Sequence, residues 1–372
     1  MKRIGVTGGN GFVGSHLINT LSQFEDEFTL VEFERSYFEN QDKLESFVKE
    51  CDVIVHLAAL NRHESQEFIY EKNLALTRSL CKALENTGAR PHVIISSSSQ
   101  EKKDNLYGRS KKESRELLET WASENNAIFT GAVVPNVFGA FCKPNYNSFI
   151  ATFCSRLIQG EKPEIQVDAE VQLIYVQELV NTFISEIRKE ETKGELLIPY
   201  TTAIKVSDVL AKLQKYHQVY FQQGNIPELI SDFEVNLFNT FRSYIELNSF
   251  FPRKFVQHTD DRGSFVELIR LGIGGQVSFS TTVPGVTRGN HYHTRKIERF
   301  AVIKGKALIE MRKIGTEEVL SFELNGDEPA YVDMPIWYTH NIKNIGDEIL
   351  YTNFWINEAY DSENPDTYFV TV

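Results

Sequence analysis

The chain has 372 residues, 41% apolar and 24% charged, with 26 Phe and 15 Tyr for building cores and a formal net charge of −12. That length exceeds one ordinary domain and predicts two, while the negative charge argues against nonspecific binding to nucleic acid or to an anionic membrane surface. No apolar run reaches the roughly 20 residues that a membrane-crossing helix needs.

The start, "MKRIGVTGG", leads into a strand and a glycine turn rather than a signal peptide, so a cytoplasmic location is expected. Cys51, Cys81, Cys142 and Cys154 all fall in the first half without a C-x-x-C pair, which reads as buried thiols in a reducing compartment. A metal bound in the cysteine-free second half must therefore use imidazole and carboxylate ligands.

From the N-terminus, β-rich runs such as "RIGVTG", "FTLVEF", "DVIVHLAA", "HVIISSSS" and "AIFTGAVVP" alternate with polar-faced helical stretches such as "SKKESRELLETWASENN". Continuous apolar strands separated by helices imply a parallel sheet covered on both faces. The first turn, "VTGGNGFVGSHL", sets Gly8, Gly11 and Gly14 between a strand and a helix. Glycine is needed there because a side chain would keep a dinucleotide pyrophosphate away from the N–H groups at the helix start. The second strand ends in "LVEFERS", with Glu32 and Arg35. An acid there suits the ribose diol of NAD and an arginine the 2′-phosphate of NADP, and Arg35 favours NADP.

The fourth strand runs into "SSSSQEKKDNLYGRSK", with Tyr107 and Lys111 four residues apart and so on one helix face. A neighbouring ammonium favours the phenolate and draws its pKa towards working pH, as a general acid/base requires. Together with "HLAA" (56–59), "PNVFG" (135–139) and "IYVQELV" (174–180), these motifs make the first two-thirds of the chain resemble the extended short-chain dehydrogenase/reductase family.

The resemblance implies a Rossmann-fold domain with Ser98, Tyr107 and Lys111 as catalytic residues and Ser97 as the fallback serine. It also implies Gly8, Gly11, Phe12, Val13, Gly14, Arg35, Leu57, Ala58, Tyr107 and Lys111 as cofactor contacts. The stretch between serine and tyrosine is shorter than in most members. Ser99 and Gln100 stand where dehydratases of the family carry an acidic pair, so hydride transfer is expected rather than dehydration.

From about residue 253 short strands follow one another between Gly, Pro, Asn and Asp, an all-β pattern. The boundary is placed within "YIELNSFFPRKF", giving domains 1–248 and 249–372. Gly285, His291, His293, Glu298 and Gly305 match the spacing of the first cupin signature, and Pro335, His340 and Asn344 match the second, with Trp337 where many cupins have glycine. The resemblance implies an all-β cupin (double-stranded β-helix) domain. Residues i and i+2 of a strand share a side, so His291 and His293 can face one interior, with Glu298 and His340 completing a set that suits Zn, Fe, Mn or Ni.

The segments "DDRGSFVEL" (260–268) and "GQVSFSTTVPGVTRGNHYH" (275–293) also resemble dTDP-4-dehydrorhamnose 3,5-epimerase, in which the residue at the His291 position is the base. A metal-bound imidazole cannot also accept a proton. The metal would then either polarise the sugar ketone or be structural, with Tyr292, Tyr338, Lys296 or His258 moving the proton.

Taken whole, through "HLAALNR" and "FCKPNYNSFIATFC" as well, the chain resembles the bifunctional UDP-2-acetamido-2,6-β-L-arabino-hexul-4-ose reductase family of capsule and O-antigen synthesis. That implies C3 epimerisation in the cupin domain, C4 reduction with NADPH in the other, a zinc ion and a homodimer. It further implies sugar and diphosphate contacts from Asn61, Arg62, Asn136, Lys143, Asn145 and Asn147, whose bland alternative is to satisfy loop backbone. The competing expectations are a reductase or 4-epimerase with a structural barrel, and a non-catalytic sensor of dinucleotide and sugar, which has no use for an acidified phenol.

Overall fold

The structure is a computed structural model describing residues 1–260, 263–266, 268–269, 274–358 and 361–372; for 257–260 and 263–266 only the backbone is described. By contacts the chain divides into two compact units. One comprises Met1–Thr152 and Ile165–Ser207, the other Phe153–Glu164 and Asp208–Val372.

The first unit opens with β1 (Lys2–Thr7), α1 (Phe12–Leu21), β2 (Phe28–Val31), α2 (Gln41–Glu50), β3 (Val53–His56), α3 (Gln66–Thr87), β4 (His92–Ser98), α4 (Leu106–Asn125) and β5 (Phe129–Val134). Short β6 (Asn136–Phe138), β7 (Glu170–Tyr175), α6 (Val176–Arg188), β8 (Lys193–Leu197) and β9 (Thr202–Lys205) follow, while α5 (Phe149–Ile158), between β6 and β7, belongs to the second unit from Phe153 on. Polar residues start the helices locally. Asn40, Ser65 and Asn105 each accept a backbone N–H three residues on, meeting donors that a helix start otherwise leaves unpaired.

A six-stranded parallel sheet runs in the order β2-β1-β3-β4-β5-β8. Every residue of β3 and of β5 is buried, as the unbroken apolar runs predict. Leu44, Phe47, Leu80, Leu84, Val93, Leu118 and Trp121 fill one side of it, and each such side chain contributes about 1.5–3 kcal/mol by leaving water. From β1 the chain moves outward to β2 and then returns past β1 to β3, so the strand order reverses between β1 and β3, and ligands of open α/β sheets sit at the carboxyl ends of strands beside such a reversal.

In the second unit, α7 (Val206–Tyr216) passes into a π-helical turn (His217–Gln222), followed by α8 (Asp232–Arg242) and α9 (Leu247–Phe250). The strands are β10 (Arg253–Lys254), β11 (Gln257–Asp260), β12 (Gly263–Val266), β13 (Gln276–Thr282), β14 (Thr287–Tyr292), β15 (Glu298–Lys304) and β16 (Lys306–Lys313). They continue as β17 (Val319–Asn325), β18 (Ala330–Met334), β19 (Tyr338–Asn344), β20 (Leu350–Ile356) and β21 (Tyr368–Phe369). Two five-stranded antiparallel sheets result, β10-β18-β15-β20-β13 and β17-β16-β19-β14-β21. Their core holds Ile297, Val302, Ile309, Met311, Val332, Met334, Trp337 and Trp355.

Residues 208–248 group with these strands, and a buried polar cluster accounts for it. Asp333 takes two bonds from Arg299 (2.7 and 3.0 Å) and one from the Tyr220 hydroxyl (2.7 Å), while Arg242 donates to the Met334 carbonyl at 3.0 Å. An ion pair this buried is costly unless it is fully hydrogen-bonded, and the helical segment supplies the missing donor.

Candidate functional site

In the first unit the loops after β1, β3 and β4 lie side by side. Gly8 adopts φ +77°, and a Cβ there would stand 2.8 Å from the Ala58 nitrogen. A Cβ on Gly14 would stand 2.3 Å from the Gly8 carbonyl oxygen. Gly11 is the N-cap of α1, which has no side-chain cap and no acid in its first turn. The glycines thus let the turn close against its own helix and the Leu57–Ala58 backbone, and the N–H groups at the uncapped start of α1 suit a pyrophosphate. Phe12 and Val13 open the helix.

Leu57 N and Ala58 N bond Thr7 O and Thr7 Oγ1 (3.1 and 3.3 Å), and the same hydroxyl meets His56 Nδ1 at 2.8 Å. Burial pushes the His56 imidazole down to about 3, so it stays neutral. Glu32 and Arg35 are both exposed just beyond β2.

Tyr107 sits half-buried at the start of α4, and its hydroxyl donates to Asn61 Oδ1 at 3.1 Å. Burial, with Tyr146 adding to it, pushes the phenol up to about 12 against a hydrogen bond with Ser98. Lys111 is buried, which draws its ammonium down to about 8 against the pull of Glu101. The expected lowering of the phenol by Lys111 therefore does not govern this conformation; burial does.

Strand alternation separates the serines. Ser97 turns inward and hydrogen-bonds Glu101, itself locked to Arg115 at 3.0 Å. Ser98 lies on the Tyr107 side and accepts from Gln100 N at 3.2 Å.

Among the expected sugar contacts, Arg62 donates to the carbonyls of Asn145 and Tyr146 (2.6 and 2.7 Å) and Asn136 to that of Gln172 (3.2 Å), so both hold loop backbone here. Lys143 lies over the Tyr146 ring, and Lys143, Asn145 and Asn147 are exposed on one loop. Sequence reading passed over Asn73. Buried on α3, its amide bonds Leu60 N and O and Ser110 Oγ (2.7, 3.1 and 3.1 Å), fixing the Asn61 loop to the tyrosine helix.

In the second unit His291, His293, Glu298 and His340 converge, their ligand atoms all within 4.8 Å of one another. A register shift between Gly289 and His291 leaves Asn290, at φ +60°, as the extra residue and sets His291 opposite His340. Such a bulge re-aims a side chain. Glu298 begins β15, with its Oε2 3.1 Å from Nε2 of both His293 and His340, yet none of these three buried atoms makes a contact of hydrogen-bond geometry.

Behind the rings, His293 Nδ1 bonds the Asp366 carbonyl, His340 Nδ1 the Tyr338 carbonyl at 3.1 Å, and His291 the backbone of Gly289. Each carbonyl takes an N–H and leaves the other nitrogen as a free donor of electrons, the arrangement metal-ligating histidines use. The residues therefore fit a cation. Burial lowers His291 to about 4 with His340 adding to it, whereas Glu298 falls below the usual carboxylate range because His293 and His340 outweigh burial.

Trp337, standing where many cupins have glycine, takes the left-handed φ of +63° and stacks on Tyr292. Of the alternative proton carriers, Tyr292 is buried between Trp337 and Tyr368, and Lys296 Nζ donates to Pro365 O at 2.8 Å. Tyr338 is half-buried. The His258 side chain, and Asp261, Arg262 and Glu267 of "DDRGSFVEL", lie outside the described residues.

Residues 4–198 match the NAD dependent epimerase/dehydratase family and residues 258–368 the polysaccharide biosynthesis C-terminal domain. A UDP-2-acetamido-2,6-beta-L-arabino-hexul-4-ose reductase from Pseudomonas aeruginosa is 34% identical over 99% of this chain and 98% of its own. The chain belongs to that reductase family. The crystal structure of the capsular polysaccharide assembling protein CapF from Staphylococcus aureus, 34% identical, matches over 100% of both chains with a TM-score of 0.63. The spore coat polysaccharide biosynthesis protein SpsL of Bacillus subtilis is 27% identical over 31% of this chain and 82% of its own. The family likeness accounts for a Rossmann-type unit and an antiparallel cupin barrel in one polypeptide. Among the described residues no helix is long and apolar enough to cross a membrane.

Proposed function

We propose that this chain is a bifunctional nucleotide-sugar enzyme. The barrel inverts C3 of a UDP-linked 4-keto-6-deoxy-N-acetylhexosamine. The Rossmann-type unit reduces the C4 ketone to UDP-2-acetamido-2,6-dideoxy-β-L-talose, on the way to UDP-N-acetyl-L-fucosamine for capsular or O-antigen polysaccharide. The observation that carries the reading is one chain holding both a glycine cradle beside Tyr107 and a buried four-ligand cluster, at 34% identity to a hexul-4-ose reductase over nearly its full length. A ketone serves both steps. It acidifies the neighbouring C–H for epimerisation and then accepts hydride, so epimerisation comes first.

In the reductive unit Gly8, Gly11, Phe12, Val13, Gly14, Leu57 and Ala58 hold the dinucleotide, and Arg35 selects NADPH. Ser98 hydrogen-bonds the C4 oxygen, Tyr107 gives it a proton, and the Lys111 ammonium stabilises the phenolate that remains. Asn61, Arg62, Asn136, Lys143, Asn145 and Asn147 line the sugar-diphosphate side, Arg62 and Asn136 by shaping its loops. When bound, NADPH supplies the hydride, and a zinc ion held by His291, His293, Glu298 and His340 supplies positive charge for an enolate oxygen. Functionally the division falls at 1–248 and 249–372, and the active form is a cytoplasmic homodimer.

A second reading has its own support. Four protein ligands are what a closed, structural zinc site uses, so the barrel could serve folding alone beside a simple reductase. Proton NMR of the ketosugar in D2O without nicotinamide separates the two. Deuterium entering at C3 is expected. No exchange, with NADPH still consumed on a correctly configured ketone, would leave the simple reductase.

A further inference from the structure

Between His293 and Glu298 the chain makes a short loop, Thr294–Ile297, and its backbone N–H groups point at one carboxylate. Asp366 Oδ1 accepts from Thr294 N (3.0 Å) and Thr294 Oγ1 (2.6 Å), and its Oδ2 from Arg295 N (3.0 Å) and Lys296 N (3.1 Å). Successive N–H groups of this kind form an anion-binding nest, and bonds to an ionised acceptor are roughly twice as strong as neutral ones. The Asp366 carbonyl meanwhile accepts from His293 Nδ1. One residue therefore fixes both the loop that joins two ligands and the tautomer that turns His293 Nε2 towards Glu298.

Asp366 is 3% exposed and holds φ at +44°, in the left-handed region that a non-glycine residue rarely takes. Its neighbours hold it there. Lys296 Nζ donates to Pro365 O (2.8 Å), Arg295 to Asn364 O (3.1 Å), and Tyr368 and Phe369 pair with Tyr292 and His291.

We infer that Asp366 is a positioning residue of the metal centre: a strap near the C-terminus, seated on the Thr294–Lys296 loop through this side chain, sets where His293 and Glu298 stand and so tunes the affinity for the cation. The inference rests on the cluster being a metal site, and it gives the 364–369 segment a task that the ligand motif does not contain. Such outer partners are typically worth 10–100-fold in metal affinity.

The test uses the full chain with Co2+ as probe, titrated against a chelator and read also by the visible absorption of the bound ion. Asp366→Gly removes the carboxylate, relieves the backbone strain and keeps the carbonyl that His293 needs. It is expected to weaken Co2+ binding roughly 10–100-fold, to alter the cobalt spectrum, and to shrink the gap in Tm between metal-loaded and metal-free protein. Equal affinity and an unchanged spectrum in D366G overturn the inference, as does a Tm that falls equally in both forms, which marks a merely structural residue.

If D366G does not fold cooperatively, Asp366→Asn decides by the same curves. It keeps the shape and tolerates left-handed backbone, but it sets an N–H against the nest, and about 10-fold weaker binding is expected. A wild-type chain that binds no Co2+ sinks the metal reading itself, a different result from equal binding by wild type and variant.

Discussion

The two sites are made of different material. At the carboxyl ends of β1, β3 and β4 the shape comes from backbone, and the residues that matter most, Gly8 and Gly14, act by having no side chain. In the barrel four side chains make the site, three of them buried, each held from behind by a carbonyl or by a neighbouring strand. A backbone cradle fails when something is added, and a ligand cluster fails when something is taken away. Burial acts on charge differently too. It raises Tyr107 and lowers Lys111 more than Ser98 and Glu101 counter it, whereas in the barrel Glu298 and His293 offset it for each other.

The largest effect should come from the ligand set. His340→Ala is expected to lose more than the 10–100-fold in metal affinity typical of outer partners and to abolish deuterium entry at C3, while leaving ketone reduction intact; metal analysis with NMR reads both. Tyr107→Phe should do the reverse, costing about 10²–10⁴-fold in NADPH oxidation with C3 exchange unchanged. If either variant disables both reactions, the two sites are not separable and the contrast fails.

Gly14→Ala sharpens the backbone half. The added Cβ meets the Gly8 carbonyl oxygen at 2.3 Å, so a stability loss of about 1–3 kcal/mol and weaker NADPH binding should appear in Tm and in cofactor-fluorescence titration. Arg35→Ala, at an exposed position, should weaken NADPH by roughly 3–10-fold and NADH hardly at all, as fits a partly solvated ion pair; equal effects on both would remove Arg35 from the 2′-phosphate.

The last effect is a slope in pH. His56 titrates near 6.5 when free but near 3 in the fold, where burial keeps it neutral. Its folded pKa is depressed, so the unfolded chain takes up the proton first, and stability should fall as pH drops from about 6.5 towards 3. His56→Gln should flatten that slope in denaturant titrations across the range, and an unaltered slope would assign the acid sensitivity to other groups.

The order of strands and helices in the first unit, the glycine turn, the Tyr107–Lys111 pair on one helix face and the spacing of the four clustered side chains are legible along the chain. These are local patterns, with periods of 2 or 3.6 residues and gaps of a few positions, and local chemistry is what a linear reading resolves. The same alternation, once the β4 register is known, turns Ser97 inward to Glu101 and leaves Ser98 on the Tyr107 side.

Other features arise from contacts between distant parts of the chain. Trp337 keeps a left-handed backbone because its N–H and carbonyl are bonded to His293 O and Ile314 N while its ring stacks on Tyr292. Residues 208–248 group with the barrel because Tyr220 and Arg242 meet groups on β18, more than ninety positions away in the case of Met334. Asp366 reaches the Thr294–Lys296 loop and bonds His293 from 73 residues downstream of it, and Asn73 ties together loops that share no motif. Buried polar groups must find partners wherever the fold brings them, and those partners carry no periodicity or spacing along the chain that would announce them.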